Sequence, residues 1–319
     1  MARIEPLAPG DLWPPDITGL VPGNDCTDHV YRFDAAVPGP HVLVNALMHG
    51  NEVCGAVAVA TLLRAGIRPC RGSLTFSFAN VEAFNHLDPQ FPVLSRYMDE
   101  DMNRVWAPDI LAGSGDSIER RRARSLWPLF AEADFLLDLH SMQHDTIPLM
   151  LAGRSARGRA LAGRLGMPGF VVMDGGHAGG LRLIDHPRFT DGADGPVALL
   201  AECGRHQDRS SARTALAVTA RFLAVTGAVA TTALSPWLPS AEPPPPRFVE
   251  VTETVTVCSE QFRFLQDFKG MDIIPRAGTG FAVDAGRLLR TPHDDCVMIM
   301  PARVPMRGQT AVRLGRFRS

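Results

Sequence analysis

Three short apolar runs, each leading into a group that can bind a metal or carry a proton, constrain this chain more than any other feature. His41-Val-Leu-Val-Asn-Ala-Leu47 runs straight into His49-Gly-Asn-Glu52. Phe135-Leu-Leu-Asp-Leu-His140 ends on His140, and Val197-Ala-Leu-Leu-Ala-Glu202 ends on Glu202. Runs this short and this apolar read as strands buried on both faces. Residues 73–79 and 170–173 are two further strand candidates. Residues 53–65 and 210–229 are Ala-rich and long enough for helices. Residues 117–133, charged at first and apolar later, read as a helix disturbed at Pro128. Strands alternating with helices predict an α/β fold, a mostly parallel mixed sheet with helices on both faces. In such a sheet the carboxyl ends of the strands face one crevice, where ligands bind. The pattern therefore places His49, Glu52, His140 and Glu202 around a common rim.

The organisation changes near residue 235. Ser235-Pro-Trp-Leu-Pro-Ser-Ala-Glu-Pro-Pro-Pro-Pro246 contains four consecutive prolines and reads as a stiff spacer. Residues 247–319 are rich in Val, Thr, Phe and Arg, punctuated by Gly and Pro, and lack a helical period. The expected division is a catalytic α/β domain over residues 1–234, a Pro-rich linker over 235–246 and a small β-rich domain over 247–319. The stretch 81–115 is expected to be a long loop region, the kind that builds sites in compact enzymes.

Composition removes several classes. Lys+Arg 32 against Asp+Glu 34 gives a net charge of -2, without the basic excess that phosphate neutralisation requires. The 6 cysteines form no Cys-x-x-Cys pair in a chain of 319 residues, so neither a disulfide framework nor a Cys-rich zinc ribbon is expected. Residues 1–16 carry charges and prolines in place of the apolar core of a signal peptide. The most apolar long stretch, 222–238, is broken by Thr, Gly, Ser and Pro and is too short to span a bilayer. The expectation is a soluble, cytoplasmic protein with a small-molecule partner, no nucleic acid and no membrane; self-association stays open.

Two imidazoles and a carboxylate suffice for a catalytic zinc ion, which keeps its fourth position for water. His-x-x-Glu just after a strand lets both side chains reach one ion, and His140 closes the triangle, although the four-residue pattern alone is weak. Asp138, on the same strand face as His140, either orients that imidazole or bonds to nearby backbone. Arg96, Asn103 and Arg104, in Arg96-Tyr-Met-Asp-Glu-Asp-Met-Asn-Arg104, offer fixed donors for a carboxylate. Composition alone favours a solvated loop there, with Asp99, Glu100 and Asp101 neutralising the arginines. His144 and His206 are near the site in sequence. Cys54 and Cys203 flank it and read as small buried residues.

Taken together, His49-Gly-Asn-Glu52, the Arg96 to Arg104 segment, Asp138-Leu-His140 and Glu202 in Ala-Glu-Cys-Gly204 resemble the succinylglutamate desuccinylase/aspartoacylase family of the zinc carboxypeptidase superfamily. The resemblance covers about residues 40–230. It implies that His49, Glu52 and His140 bind one Zn²⁺ and that Glu202 is the general base and acid. It further implies that Arg96 polarises the scissile carbonyl and that Asn103 and Arg104 hold the substrate's carboxylate. The implied activity is metal-dependent hydrolysis of an N-acyl amino acid, with short-peptide carboxypeptidase activity as the alternative. A metal-free binding protein on the same fold is the non-enzymatic alternative. Leu183-Ile-Asp-His-Pro187 resembles a segment preceding the catalytic Glu in aspartoacylases. Two features depart from them. No Arg lies between residues 189 and 201, and the C-terminal region has no Tyr, since the chain contains only Tyr31 and Tyr97. N-acetylaspartate is accordingly not the expected substrate, with Arg182 and Arg188 as possible replacements for the missing Arg.

Overall fold

The computed structural model describes residues 15–17, 27–88, 90–144, 146–177 and 179–318. The expectation for residues 1–16 lies, apart from Pro15 and Asp16, outside the described residues, as does Cys26. The chain begins with strands β1 (Val30–Asp34) and β2 (His41–Ala46), helix α1 (Val53–Arg64) and strand β3 (Ser73–Phe78). Helices α2 (Val81–Asn85), α3 (Pro108–Ala112) and α4 (Ile118–Glu132) lead to strands β4 (Phe135–Met142) and β5 (Leu149–Leu151). Next come α5 (Ala156–Leu165), β6 (Phe170–Met173), α6 (Pro187–Thr190), β7 (Val197–Arg205), α7 (Arg209–Val225) and α8 (Thr231–Leu234). The C-terminal strands are β8 (Arg247–Thr256), β9 (Arg263–Phe264), β10 (Ile273–Ile274), β11 (Gly280–Asp284), β12 (Arg287–Arg290), β13 (Cys296–Ile299) and β14 (Thr310–Arg318).

One sheet has the order β1-β3-β2-β4-β7-β5-β6-β8-β14-β13-β10. Strands β3, β2, β4 and β7 are parallel, β1 is an antiparallel edge, and β5 runs antiparallel to β7. The α/β reading therefore holds, and residues 247–318 add the antiparallel strands β14, β13 and β10 together with a small separate sheet, β12-β11-β9. Strand β8 pairs in parallel with β6, from Phe170 opposite Arg247 to Met173 opposite Glu250, so the main sheet continues into the C-terminal segment. Before β8, Trp237 and Leu238 pack against the core, and Glu242 forms an ion pair with Arg221.

Side-chain alternation along the strands sorts the core into two layers. Val42, Val44, Leu137, Leu139, Leu199 and Ala201 pack with α1, α5 and α7 on one face. Leu43, Leu136, Ala198 and Leu200 pack on the other, with Ala123, Leu126 and Phe130 of α4 and with Trp106. By the same period of two, Asp138, His140 and Glu202 share the α4 face. Helix α4 runs through Pro128, where a disturbance was expected. Leu126 and Phe130 stay buried on either side of it, and Phe130 stacks on Trp106 at 5.6 Å, which holds the helix against the sheet despite the missing N–H. No helix among the described residues is long and apolar enough to cross a membrane.

Candidate functional site

Strand β2 ends at a sharp change of direction: Leu47 has φ 58, and its carbonyl accepts the Asn80 N–H at 2.7 Å. A branched residue in this region is strained, and here the strain turns the chain so that His49 enters the rim. Gly50 follows because nothing larger fits. A Cβ there would lie 2.4 Å from the Ala83 carbonyl carbon and 2.5 Å from the Ser95 oxygen. Glu52 is the residue before α1, His140 on β4 stands in register opposite Glu202 on β7, and all four side chains are buried.

His49 Nδ1 lies 2.8 Å from Glu52 Oε1, and His140 Nδ1 lies 2.9 Å from Glu52 Oε2. Donor atoms of the three residues all fall within 4.8 Å of one another, so the group could hold a metal ion. The far nitrogens are held as well. His140 Nε2 donates to Asp138 Oδ2 at 2.8 Å, and His49 Nε2 is 2.9 Å from Asp101 Oδ1. A carboxylate on the outer nitrogen is the arrangement that orients metal-binding imidazoles and sets their tautomer. Asp138 also accepts from Asn45 Nδ2 at 2.8 Å, and Asn45 accepts from Ser77 Oγ at 2.6 Å, a polar chain through three strands of the sheet.

Charge accounts for the site's protonation. Burial alone would raise Glu52, yet the two imidazoles hold its carboxyl well below the usual range. Burial would lower His140, but Asp138 and Glu52 hold it well above the ordinary imidazole value. Glu202 is pushed up to about 8, by burial first and by the Glu52 charge, against the pull of His140 and Arg96. Its Oε2 is buried with no hydrogen-bond partner, which leaves it available to a ligand in the site.

Arg96 is half-buried and reaches this centre. Its Nη1 is 3.1 Å from Glu52 Oε1, and its Nη2 is 3.2 Å from Asp101 Oδ2 and 2.9 Å from His49 Nε2. Nε2 of His49 thus stands between a donor and an acceptor and cannot satisfy both in one tautomer. With the proton on Nε2 it is Asp101 that His49 bonds, and Arg96 Nη2 is left to donate to Asp101 Oδ2. Asn103 is buried with its Oδ1 accepting the Leu183 N–H at 3.0 Å, so Nδ2 remains its free-facing donor group. Arg104 donates to the Asn103 carbonyl at 2.7 Å and lies 3.9 Å from Asp101.

The acidic trio in this loop is not a solvated counter-charge. Asp99 caps the Ile118 N–H at 2.8 Å, Glu100 pairs with Arg120, and Asp101 enters the site, where His49, Arg96 and Arg104 outweigh burial and hold its carboxyl far below the usual range. Glu119 is fully buried in the first turn of α4. It accepts the N–H groups of Met98, Asp99 and Glu100 and the Asn80 amide, at 2.7 to 3.3 Å. This one carboxylate anchors the loop that carries Arg96, Asn103 and Arg104. His206 is buried and bonded to Ser141 Oγ at 2.8 Å, and the Ser141 N–H donates to Glu52, which links His206 to the centre. His144 lines a cleft of about 530 Å³ with Thr146, Phe262 and Phe268. Cys54 and Cys203 are buried free thiols.

Of the two expected replacements for the missing Arg, one is already committed. Arg182 is buried and bonded to both oxygens of Asp174 and of Asp185, at 2.6 to 3.0 Å, and Arg188 is exposed. Asp185 and His186 of the Leu183 to Pro187 segment serve structure: Asp185 holds Arg182, and His186 accepts the Arg188 N–H and packs on Trp127.

A rim of His, Glu and His at the carboxyl ends of parallel strands, with a buried carboxylate beside it, makes this an α/β protein with a group that could hold a metal ion. The comparisons narrow the class. Residues 38–190 match the model of the succinylglutamate desuccinylase/aspartoacylase catalytic domain, so this stretch of the chain is similar to that family. Among solved structures, a succinylglutamate desuccinylase from Vibrio parahaemolyticus aligns with TM-score 0.68 at 15% identity, over 91% of this chain and 86% of that one. One from Chromobacterium violaceum aligns with TM-score 0.60 at 19% identity, over 92% and 90%. The ectoine utilization protein EutE (DoeB) from Ruegeria pomeroyi aligns with TM-score 0.59 at 17% identity, over 90% and 87%. At such identities these likenesses establish the fold. Curated protein sequences yield no match.

Proposed function

We propose that this protein is a zinc-dependent deacylase that hydrolyses the amide bond of an N-acyl amino acid, with one Zn²⁺ per chain held by His49, Glu52 and His140. The observation that carries this reading is the pair of imidazoles converging on Glu52 while Asp138 and Asp101 occupy their outer nitrogens. The donor set, two imidazoles and one carboxylate, is the one catalytic zinc uses. Bound there, zinc would lower the pKa of a water molecule to about 7 and polarise a carbonyl.

The chain's own residues supply the rest. Glu202, with an unengaged Oε2 beside the centre, takes the proton of the attacking water and returns it to the leaving amine nitrogen. Its raised proton affinity suits that exchange, since general acid–base groups work best with a pKa near the operating pH. Arg96 projects its guanidinium to the centre and stabilises negative charge as it develops on the carbonyl oxygen. Asn103 and Arg104 hold the substrate's carboxylate, positioned by the Glu119 anchor and by the Leu183 N–H.

The test is a panel of N-acyl amino acids and short peptides with zinc-loaded protein and its Glu202→Gln variant. The expected result is hydrolysis of acyl amino acids, a loss of roughly 10²- to 10⁴-fold in the variant, and unchanged zinc content. Cleavage of peptides alone would favour the carboxypeptidase reading, and full activity in Glu202→Gln would remove the proposed base.

A further inference from the structure

Behind the catalytic rim lies a buried imidazole that the proposed reaction does not use. Strands β4 and β7 pair in register from Phe135 opposite Val197 to His140 opposite Glu202, and again at Met142 opposite Arg205. Between those pairs one residue, Ser141, faces two, Cys203 and Gly204, which makes a β-bulge. Gly204 has φ 121, a conformation open to glycine and strained for other residues. A bulge re-aims the chain that follows it, and here His206 comes back onto β4. Its N–H donates to the Met142 carbonyl at 2.9 Å, and its Nδ1 lies 2.8 Å from Ser141 Oγ. The neighbouring Arg205 carbonyl accepts the Ser211 hydroxyl of α7, which ties the same stretch from the other side. His206 and Ser141 are both buried. Burial pushes the His206 imidazole down to about 4, so the ring is neutral and adds no charge beside the site.

Ser141 links that imidazole to the centre. Its N–H lies beyond the last pair of β2 with β4, Asn45 opposite Asp138, and donates to Glu52 Oε2 at 3.1 Å. The same oxygen is 2.9 Å from His140 Nδ1, while Oε1 takes His49 Nδ1 at 2.8 Å and Arg96 Nη1 at 3.1 Å. An imidazole nitrogen that gives its lone pair to an ion has no proton to donate. With an ion at both Nδ1 atoms, Glu52 would lose both imidazole donors and keep the Ser141 N–H and Arg96. Arg96 belongs to a loop and its side chain is 32% exposed, whereas Ser141 belongs to a central strand. The contact with His206 is the only hydrogen bond of the Ser141 side chain among the described residues.

We propose that His206 is a positioning residue for the metal ligand Glu52: its Nδ1 fixes Ser141 in the bulge, and the Ser141 N–H then holds the Glu52 carboxylate in place. This rests on the metal site proposed above and is independent of which amide is cleaved. It accounts together for a bulge that needs a glycine and for a buried imidazole turned onto a serine. Groups that orient a ligand in this way set metal affinity nearly as much as the ligands do. The working atom is Nδ1, since Nε2 makes no contact with Ser141.

The test uses the full chain with Zn²⁺ or Co²⁺ in His206→Ala, His206→Asn, His206→Gln and Ser141→Ala. The amide of Asn stands as many bonds from Cα as Nδ1 does, and that of Gln as many as Nε2. The zinc dissociation constant, read against a competing chelator, should rise roughly tenfold in His206→Ala, His206→Gln and Ser141→Ala, and stay within about threefold in His206→Asn. His206→Ala combined with Ser141→Ala should be no worse than either alone, because the effect runs through one hydrogen bond. The visible d–d band of bound Co²⁺ reports ligand geometry, which a loss of general stability does not move. It should shift in the same three variants and return in His206→Asn. Equal zinc affinity in folded His206→Ala and the unaltered protein would overturn the proposal, as would rescue by Gln but not by Asn. Should His206→Ala fail to fold, the Asn and Gln pair decides. If zinc binds as expected but no acyl amino acid is cleaved, the deacylase reading fails and the positioning role stands. If the unaltered protein takes up no zinc, the metal site and the role of His206 fall together.

Discussion

Replacing Asp138 by Asn changes one oxygen into an amide nitrogen in a fully buried position and keeps the shape of the side chain. The carboxylate accepts two hydrogen bonds there, from Asn45 Nδ2 and from His140 Nε2, each at 2.8 Å. An amide has one oxygen, so the Asp138→Asn side chain can satisfy only one of these donors and must point its own NH₂ group at the other. If it keeps Asn45, His140 loses the partner that holds its proton on Nε2, and the tautomer with the proton on Nδ1, the atom facing Glu52, becomes competitive. If it keeps His140, a buried Asn45 amide faces another donor between β2 and β4. With the proton on Nε2, as a metal at Nδ1 would require, either arrangement leaves a buried donor unpaired at a cost of about 1–3 kcal/mol, and the charged partner that raised His140 is gone. Translated to metal affinity, this is a weakening of roughly 10- to 100-fold, in the range found for the loss of a carboxylate behind a metal-binding His. The assay is zinc titration against a competing chelator, with circular dichroism to confirm the fold. A zinc affinity within about twofold of the unaltered protein would refute the claim that Asp138 orients His140 for a metal.

Two further substitutions probe how the site is assembled. Glu119→Ala leaves three loop N–H groups and the Asn80 amide without their acceptor, and should cost at least roughly 2 kcal/mol, read as a drop of about 4 °C or more in Tm together with a larger loss of kcat/KM. An unchanged Tm would show that the loop carrying Arg96 is held by something else. Gly50→Ala forces a Cβ into backbone atoms of the 83–84 and 95 segments, so zinc affinity and thermal stability should fall together by an amount comparable to core overpacking, roughly 1–3 kcal/mol. Normal zinc affinity in a stable Gly50→Ala protein would contradict the close packing at that turn.

Much of the frame was legible because short apolar runs leave few options. Strands β2, β4 and β7 could be read from His41, Phe135 and Val197 onward, and the ionisable residues at their ends located the rim before any contact was known. The same reasoning pointed to the partner of His140, since Asp138 lies two residues back on one strand face. What could not be read depends on tertiary distance. Asp101 resembled its neighbours Asp99 and Glu100, yet only Asp101 reaches His49, while the other two turn to α4. Glu119 looked like one more charge in a charged helix, and its burial follows from a loop folding over the helix N-terminus. Strand β5 is three residues long and carries no period of its own. Pro128 suggested a break that packing of Phe130 on Trp106 overrides. The missing Arg and Tyr were visible as absences, but that β14 lies beside Asp174 follows only from the pairing of β8 with β6.

The central claim is that His49, Glu52 and His140 grip one divalent cation. Elemental analysis of protein stripped with chelator and reloaded with zinc tests it most directly, alongside His49→Ala and His140→Ala. The account predicts one zinc ion per folded chain and a loss of most of it in each variant. A folded protein that takes up no zinc, or variants that hold it undiminished, would contradict the claim.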